Sequence, residues 1–228
     1  MGPANSAGPA EPDLSLPSEA DPAELRRRIE AGEWVVDLRN RTAFAAGHVA
    51  GTLNFGLDGQ FVTYLGWLIP WGTPVTLLGQ TAEDVAEAQR ELVRGGIDRP
   101  AAMAIGTPEA WAGGGPLRRY RTATFADLAT ELAGKPQTAV LDVRRNQERA
   151  ERFIEGSVHI PIHEVLGRLD EVPRGEVWVH CAGGYRAGVV AALLDAHGVD
   201  VVAIDDSFDN AGSAGLPLTN ATLQEVSA

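Results

Sequence analysis

The chain has 228 residues, enough for one large domain or two of about 100 residues each. Its hydrophobic content of 44% and charged content of 22% suit a folded globular protein, and its net charge of −12 argues against a broad nucleic-acid or anionic-membrane surface, which needs clustered Lys and Arg. A single cysteine excludes an internal disulfide framework and leads us to expect a cytoplasmic setting.

Residues 1–20, MGPANSAGPAEPDLSLPSEA, carry neither a basic nor an apolar region and read as a linker-like leader, not a signal peptide. No apolar run later in the chain approaches the length of a membrane span. Asp21-Pro22-Ala23-Glu24 predicts a helix start, with Leu25 and Ile29 on one face and Gly32 as the stop. Trp34-Val35-Val36 follows as a short buried strand. The stretch 56–74, GLDGQFVTYLGWLIPWGTP, is rich in aromatics; we expect it to pack into the core, with an exposed docking patch as the alternative. Thr81 and Asp84 are spaced as a capping pair for the next helix.

In the second half, Thr124 caps a predicted helix over 125–133, Gly134 stops it, and a strand over 138–143 follows. A turn at Gly156, a strand over Val158–Ile160 and a helix near 163–169 come next. Val177–His180 predicts a strand, Ala187–Ala196 a helix and Val199–Ile204 another strand. Alternating strands and helices predict an α/β fold with parallel sheets covered on both faces. The two halves also match each other. Residues 34–56 lie over 139–161, with Asp37 on Asp142, Arg39 on Arg144 and Gly51 on Gly156. Residues 75–98 lie over 177–200 without a gap. The expected organisation is a first domain over 21–110, a linker over 111–119 around Gly113-Gly114-Gly115-Pro116, and a second domain over 120–228.

Cys181 stands between a strand end and a helix start, where ligands bind in parallel α/β sheets. The loop Ala182-Gly183-Gly184-Tyr185-Arg186 can turn successive backbone N–H groups inward and hold an anion on sulfur. Gly183 and Gly184 permit the close backbone, and Arg186 adds a planar cationic fork. Tyr185 is expected at the rim. Asp142 is expected to order loops by accepting N–H bonds. Arg144 is expected to attract an anionic donor, or else to pair with Glu148. His180 should point away from the loop by strand alternation. Pro161 separates His159 from His163, and no metal site is expected. In the first half, Gly79 and Asp84 stand where Cys181 and Arg186 stand in the second, which predicts a catalytically inert copy that shapes the cleft.

The segments Cys181-Ala182-Gly183-Gly184-Tyr185-Arg186-Ala187, Leu141-Asp142-Val143-Arg144 and Gly156-Ser157-Val158-His159-Ile160-Pro161 together resemble the rhodanese-type sulfurtransferases. The resemblance implies two rhodanese-like domains, each a parallel five-stranded sheet flanked by helices. It implies a Cys181 persulfide that carries sulfane sulfur from thiosulfate or a small persulfide to sulfite, a thiol or cyanide. On this reading Cys181 is the nucleophile, residues 182–186 and Arg144 bind substrate, Asp142 supports them, and no cofactor is needed. Four residues separate Cys181 from Arg186; related phosphatases have one more, so the spacing favours sulfur over phosphoryl chemistry. The alternatives are a non-catalytic persulfide carrier or docking module and a phosphatase-like hydrolase. The two-copy plan, Pro/Gly-rich leader and aromatic segment also resemble the tail of fusions in which a metallo-β-lactamase-fold persulfide dioxygenase precedes rhodanese domains. That implies such a dioxygenase as a partner.

Overall fold

The computed structural model describes residues 12–97 and 99–220. The first part of the leader and the last eight residues lie outside them.

The first half begins with α1 (Pro22–Glu30), capped by Asp21, whose side chain accepts from the Glu24 N–H as the sequence predicts. β1 (Trp34–Asp37), α2 (Arg41–Ala46), β2 (Leu53–Asn54), α3 (Phe61–Leu68), β3 (Val75–Gly79), α4 (Ala82–Arg94), β4 (Ala102–Ile105) and α5 (Pro108–Ala112) follow. The strands form one parallel sheet in the order β2-β1-β3-β4. Among the described residues this sheet has four strands, not the expected five. The end of the leader runs beside β4: Ala20 N–H donates to Met103 O at 2.7 Å, and Met103 N–H to Ser18 O at 2.9 Å.

The expected linker is also structured. Trp111 closes α5 in a buried position, and Arg118 pairs through its backbone with His48. The second half then runs β5 (Arg121–Ala123), α6 (Phe125–Gly134), β6 (Ala139–Asp142), α7 (Asn146–Glu151), β7 (Phe153–Ile154) and β8 (Val158–His159). A 3₁₀ segment over Ile162–Glu171, broken at Arg168, replaces the regular helix expected near 163–169. β9 (Val177–His180), α8 (Tyr185–Ala196), β10 (Val201–Ile204), α9 (Asn210–Ser213) and β11 (Leu218–Thr219) complete it. Its parallel sheet has five strands in the order β5-β10-β9-β6-β8, and β11 pairs antiparallel with β7 in a separate ribbon.

Strand alternation sorts the core. Val177 and Val179 face α8, while Trp178 between them faces Phe125, Leu128 and Ala211 on the opposite side. The first sheet sends Val36 and Leu77 inward and Val35 and Leu78 toward Leu25 and Trp111. The inward faces of both sheets share one continuous core, and α8 lies in it with ten of its twelve residues buried. A helix apolar on all sides is a buried helix. Here α8 packs on β9 and β10 of its own half and on α2 and β2 of the other.

The seam between the halves is also polar. His48 Nε2 lies 3.0 Å from Asp195 Oδ2, and Arg118 Nη2 donates to Asp195 Oδ1 at 2.7 Å. His48 stacks on Phe44 with ring centres 3.9 Å apart. Burial opposes ionisation of Asp195, but the bonds from His48 and Arg118 hold its carboxyl below the ordinary range.

Candidate active site

In the second sheet β8 lies to one side of β6 and β9 to the other, so the chain reverses its winding there. Ligands of such sheets bind beyond the carboxyl ends of the strands at that point. Asp142 ends β6, and Cys181 directly follows His180, the last residue of β9.

The loop after Cys181 turns at Gly184, where φ is +90°. A Cβ there would also lie 2.1 Å from Asp205 Oδ1, so both conformation and space demand glycine. Gly183 meets no such constraint: a Cβ on it would have nothing within 4 Å. Gly184 N–H donates to Cys181 Sγ at 3.2 Å, and the chain enters α8 at Tyr185. The first-turn N–H groups of a helix lack intrahelical acceptors and favour negative charge. Cys181 is 2% exposed and reaches solvent through a cleft of about 350 Å³.

That cleft is built by both halves. Cys181, Gly183, Tyr185 and Arg186 form one wall; Arg41, Asp58, Gly59, Gln60 and Tyr64 form the other. Tyr185, expected at the rim, is instead pinned beneath the first half: its hydroxyl donates to Gly56 O at 2.8 Å. A Cβ on Gly59 would lie 2.2 Å from the Tyr185 ring, so that glycine allows the close approach. Burial pushes the Tyr185 hydroxyl above its ordinary pKa.

Arg186 enters the cleft wall with its fork already filled. Nη1 and Nη2 each donate to Glu148 at 2.7 Å, a bidentate pair. The Arg186 bonds hold the Glu148 carboxyl down to about 2, helped by the Arg145 N–H. Glu148, the alternative partner considered for Arg144, pairs with Arg186 instead.

Arg144 does not line the cleft. It is buried: its N–H and Nε donate to Asp142 Oδ1, its Nη2 donates to Asp142 Oδ2 at 2.7 Å and to Arg152 O at 2.8 Å, and its guanidinium lies 3.6 Å from the Phe208 ring centre. This placement contradicts the expected donor contact, because its fork is spent on Asp142 and the chain behind it. Asp142 accepts the Arg144 backbone N–H, the kind of bond expected of it. Burial works against its charge, yet the Arg144 bonds and the nearby His180 and Arg144 charges bring it to about 2. The first half makes the same arrangement, with Arg39 on Asp37 and on Gly47 O.

His180 points away from the loop, stacked on Phe208 with ring centres 5.4 Å apart. Burial lowers its pKa to about 4, and its Nε2 has no hydrogen-bond partner. Among the described residues no cluster of His, Cys, Asp and Glu could hold a metal ion. No helix of the described residues is long and apolar enough to cross a membrane.

The first half's own loop is closed. Thr81 and Asp84 form the predicted capping box on α4. A Cβ on Gly79 would lie 2.9 Å from Val85 and 3.0 Å from Thr81 O, so a side chain at that position has no room. The stretch 56–74 is partly core and partly exposed. Phe61, Leu65 and Leu68 are buried, Tyr64 reaches the cleft, and Trp67 is 47% and Trp71 100% exposed. Sequence reasoning missed Arg41, Asp58, Gly59 and Gln60. Their spacing follows no period; the aromatic weight of 56–74 marked the surroundings of Asp58, Gly59 and Gln60, and nothing marked Arg41.

Residues 124–213 match the family model of the rhodanese-like domain. Among solved structures, a rhodanese-like domain protein from Staphylococcus aureus is 26% identical, covering 42% of this chain and 96% of its own, with a TM-score of 0.40. A rhodanese-related protein from Thermoplasma volcanium is 29% identical, covering 44% and 98%, also at 0.40. A thiosulfate sulfurtransferase from Pseudomonas aeruginosa is 20% identical, covering 89% of this chain but 43% of its own, at 0.37. A search of curated proteins returns no match.

Proposed function

We propose that this protein transfers sulfane sulfur through Cys181, with the second half as a rhodanese-type domain and the first as an inert copy. The carrying observation is the lone thiol at the base of a cleft, receiving the Gly184 N–H at 3.2 Å at the start of a buried helix. The Cys181 thiolate attacks the outer sulfur of thiosulfate. The sulfur–sulfur bond breaks, and sulfite leaves with the bonding pair. The terminal persulfide sulfur is an anion, and first-turn N–H groups suit it. Cyanide, sulfite or a thiol then attacks that sulfur and restores the thiolate. The sequence offers no second cysteine to intercept the persulfide, so discharge is intermolecular.

Intact mass after thiosulfate tests this, before and after cyanide, beside Cys181→Ser. One added sulfur, removed by cyanide and absent from the variant, is the expected result. No sulfur taken up from thiosulfate or glutathione persulfide would refute it. One observation favours a second reading, a persulfide carrier that loads and waits for a partner: Glu148 takes a hydrogen bond from each terminal nitrogen of Arg186 and neutralises its charge, which weakens its pull on a small anion. Loading without turnover on cyanide or small thiols is its signature.

A further inference from the structure

We propose that Arg41, supplied by the first half, is the cation that anchors the anionic donor above Cys181, an inference that rests on Cys181 as the reacting thiol. The two arginines lining the cleft are engaged differently. Arg186 donates from both terminal nitrogens to the one carboxylate of Glu148, which neutralises it. Arg41 donates Nε to Asp205 at 2.7 Å and Nη1 to Asp58 at 3.1 Å, and its Nη2 has no protein hydrogen bond among the described residues. A guanidinium held on one edge and free on another is suited to a planar oxyanion.

The seat for Arg41 is built from the helix that follows Cys181. A Cβ on Gly188 would lie 2.9 Å from Arg41 Cβ and 3.2 Å from its Cδ; one on Gly184 would lie 3.1 Å from its Nε. Gly184 at the cap of α8 and Gly188 in its first turns together open a groove for Arg41. A glycine inside a helix costs about 1 kcal/mol relative to alanine, and Gly188 makes no turn that would require it. The groove gives it a reason. Asp58 is the displaceable partner. It is the more exposed of the two carboxylates, and it keeps the Asn40 amide as a donor when it releases Nη1. A donor oxyanion then takes Nη1 and Nη2, while Asp205 holds Nε in place.

Alkylation tests this without requiring sulfur transfer, because Cys181 is the sole cysteine and each adduct is read by mass. The anionic reagent iodoacetate and the neutral iodoacetamide attack the same sulfur and release iodide. In Arg41→Gln the rate ratio of iodoacetate to iodoacetamide should fall about five- to tenfold, the size of one nearby charge at a partly wet site. Arg41→Lys should keep most of the ratio. A merely structural ion pair changes both rates together. An unchanged ratio in Arg41→Gln overturns the proposal. Should that variant not fold, Asp58→Asn decides: the ratio should rise, and a ratio equal to or below that of the unaltered protein overturns it. If the unaltered protein takes up no sulfur from thiosulfate or glutathione persulfide, sulfur transfer fails while the ratio still decides the role of Arg41.

Discussion

His180 shows how a residue next to the reacting sulfur can matter for stability alone. Its ring is buried between Phe125 and Phe208, and its native pKa of about 4 lies below the ordinary 6.5. The unfolded chain therefore binds the proton first as pH falls. The stability that comes from a neutral His180 is complete above pH 6.5 and is lost as pH drops toward 4, at up to about 1 kcal/mol per pH unit. Urea titrations should show that slope, and His180→Leu should flatten it. Asp142 acts lower still: its depressed carboxyl supports the fold above 3.8 and ceases to do so as pH falls through about 2. Cys181, its glycine loop and the outward turn of His180 were legible in the sequence because strand alternation and loop chemistry are local. The partner of Arg186 was not. Glu148 lies 38 residues away, and no periodicity distinguishes it from Glu151 or Glu155 as the carboxylate partner.

At the scale of elements, α8 ties the site to the fold. Its apolar run was readable as a helix, but its burial on every side was not, because nothing in a sequence says what covers a second face. The structure supplies α2 and β2 of the first half as that cover. The same distance in sequence hid the groove of Gly184 and Gly188, the four-stranded form of the first sheet and the structured stretch after Trp111. Asp195 on α8 holds this packing by accepting from Arg118 and bonding His48. Asp195→Ala removes the carboxylate and leaves the buried His48 ring without its partner, while the exposed Arg118 can turn to solvent, a change that costs about 1–3 kcal/mol. A lower denaturant midpoint with the slope unchanged is the expected result. A midpoint within error of the unaltered protein would show that the triad adds nothing.

Across the whole molecule, one core runs from the inward face of the first sheet through α8 to the second. The halves should therefore unfold together, with tryptophan fluorescence and far-UV circular dichroism giving coincident transitions. Two separated transitions would contradict a shared core. The α/β class and the strand ends were readable because strand and helix signals are local; the relation between the halves had to be seen. That relation has a consequence for synthesis. The first half leaves the ribosome with α2 and β2 already present, but α8 is far downstream. At ordinary elongation rates of about 5–20 residues per second, the interval is roughly seven to thirty seconds. Throughout it the nascent chain displays the apolar face that α8 will later cover, so this protein is most in need of a chaperone halfway through its own translation.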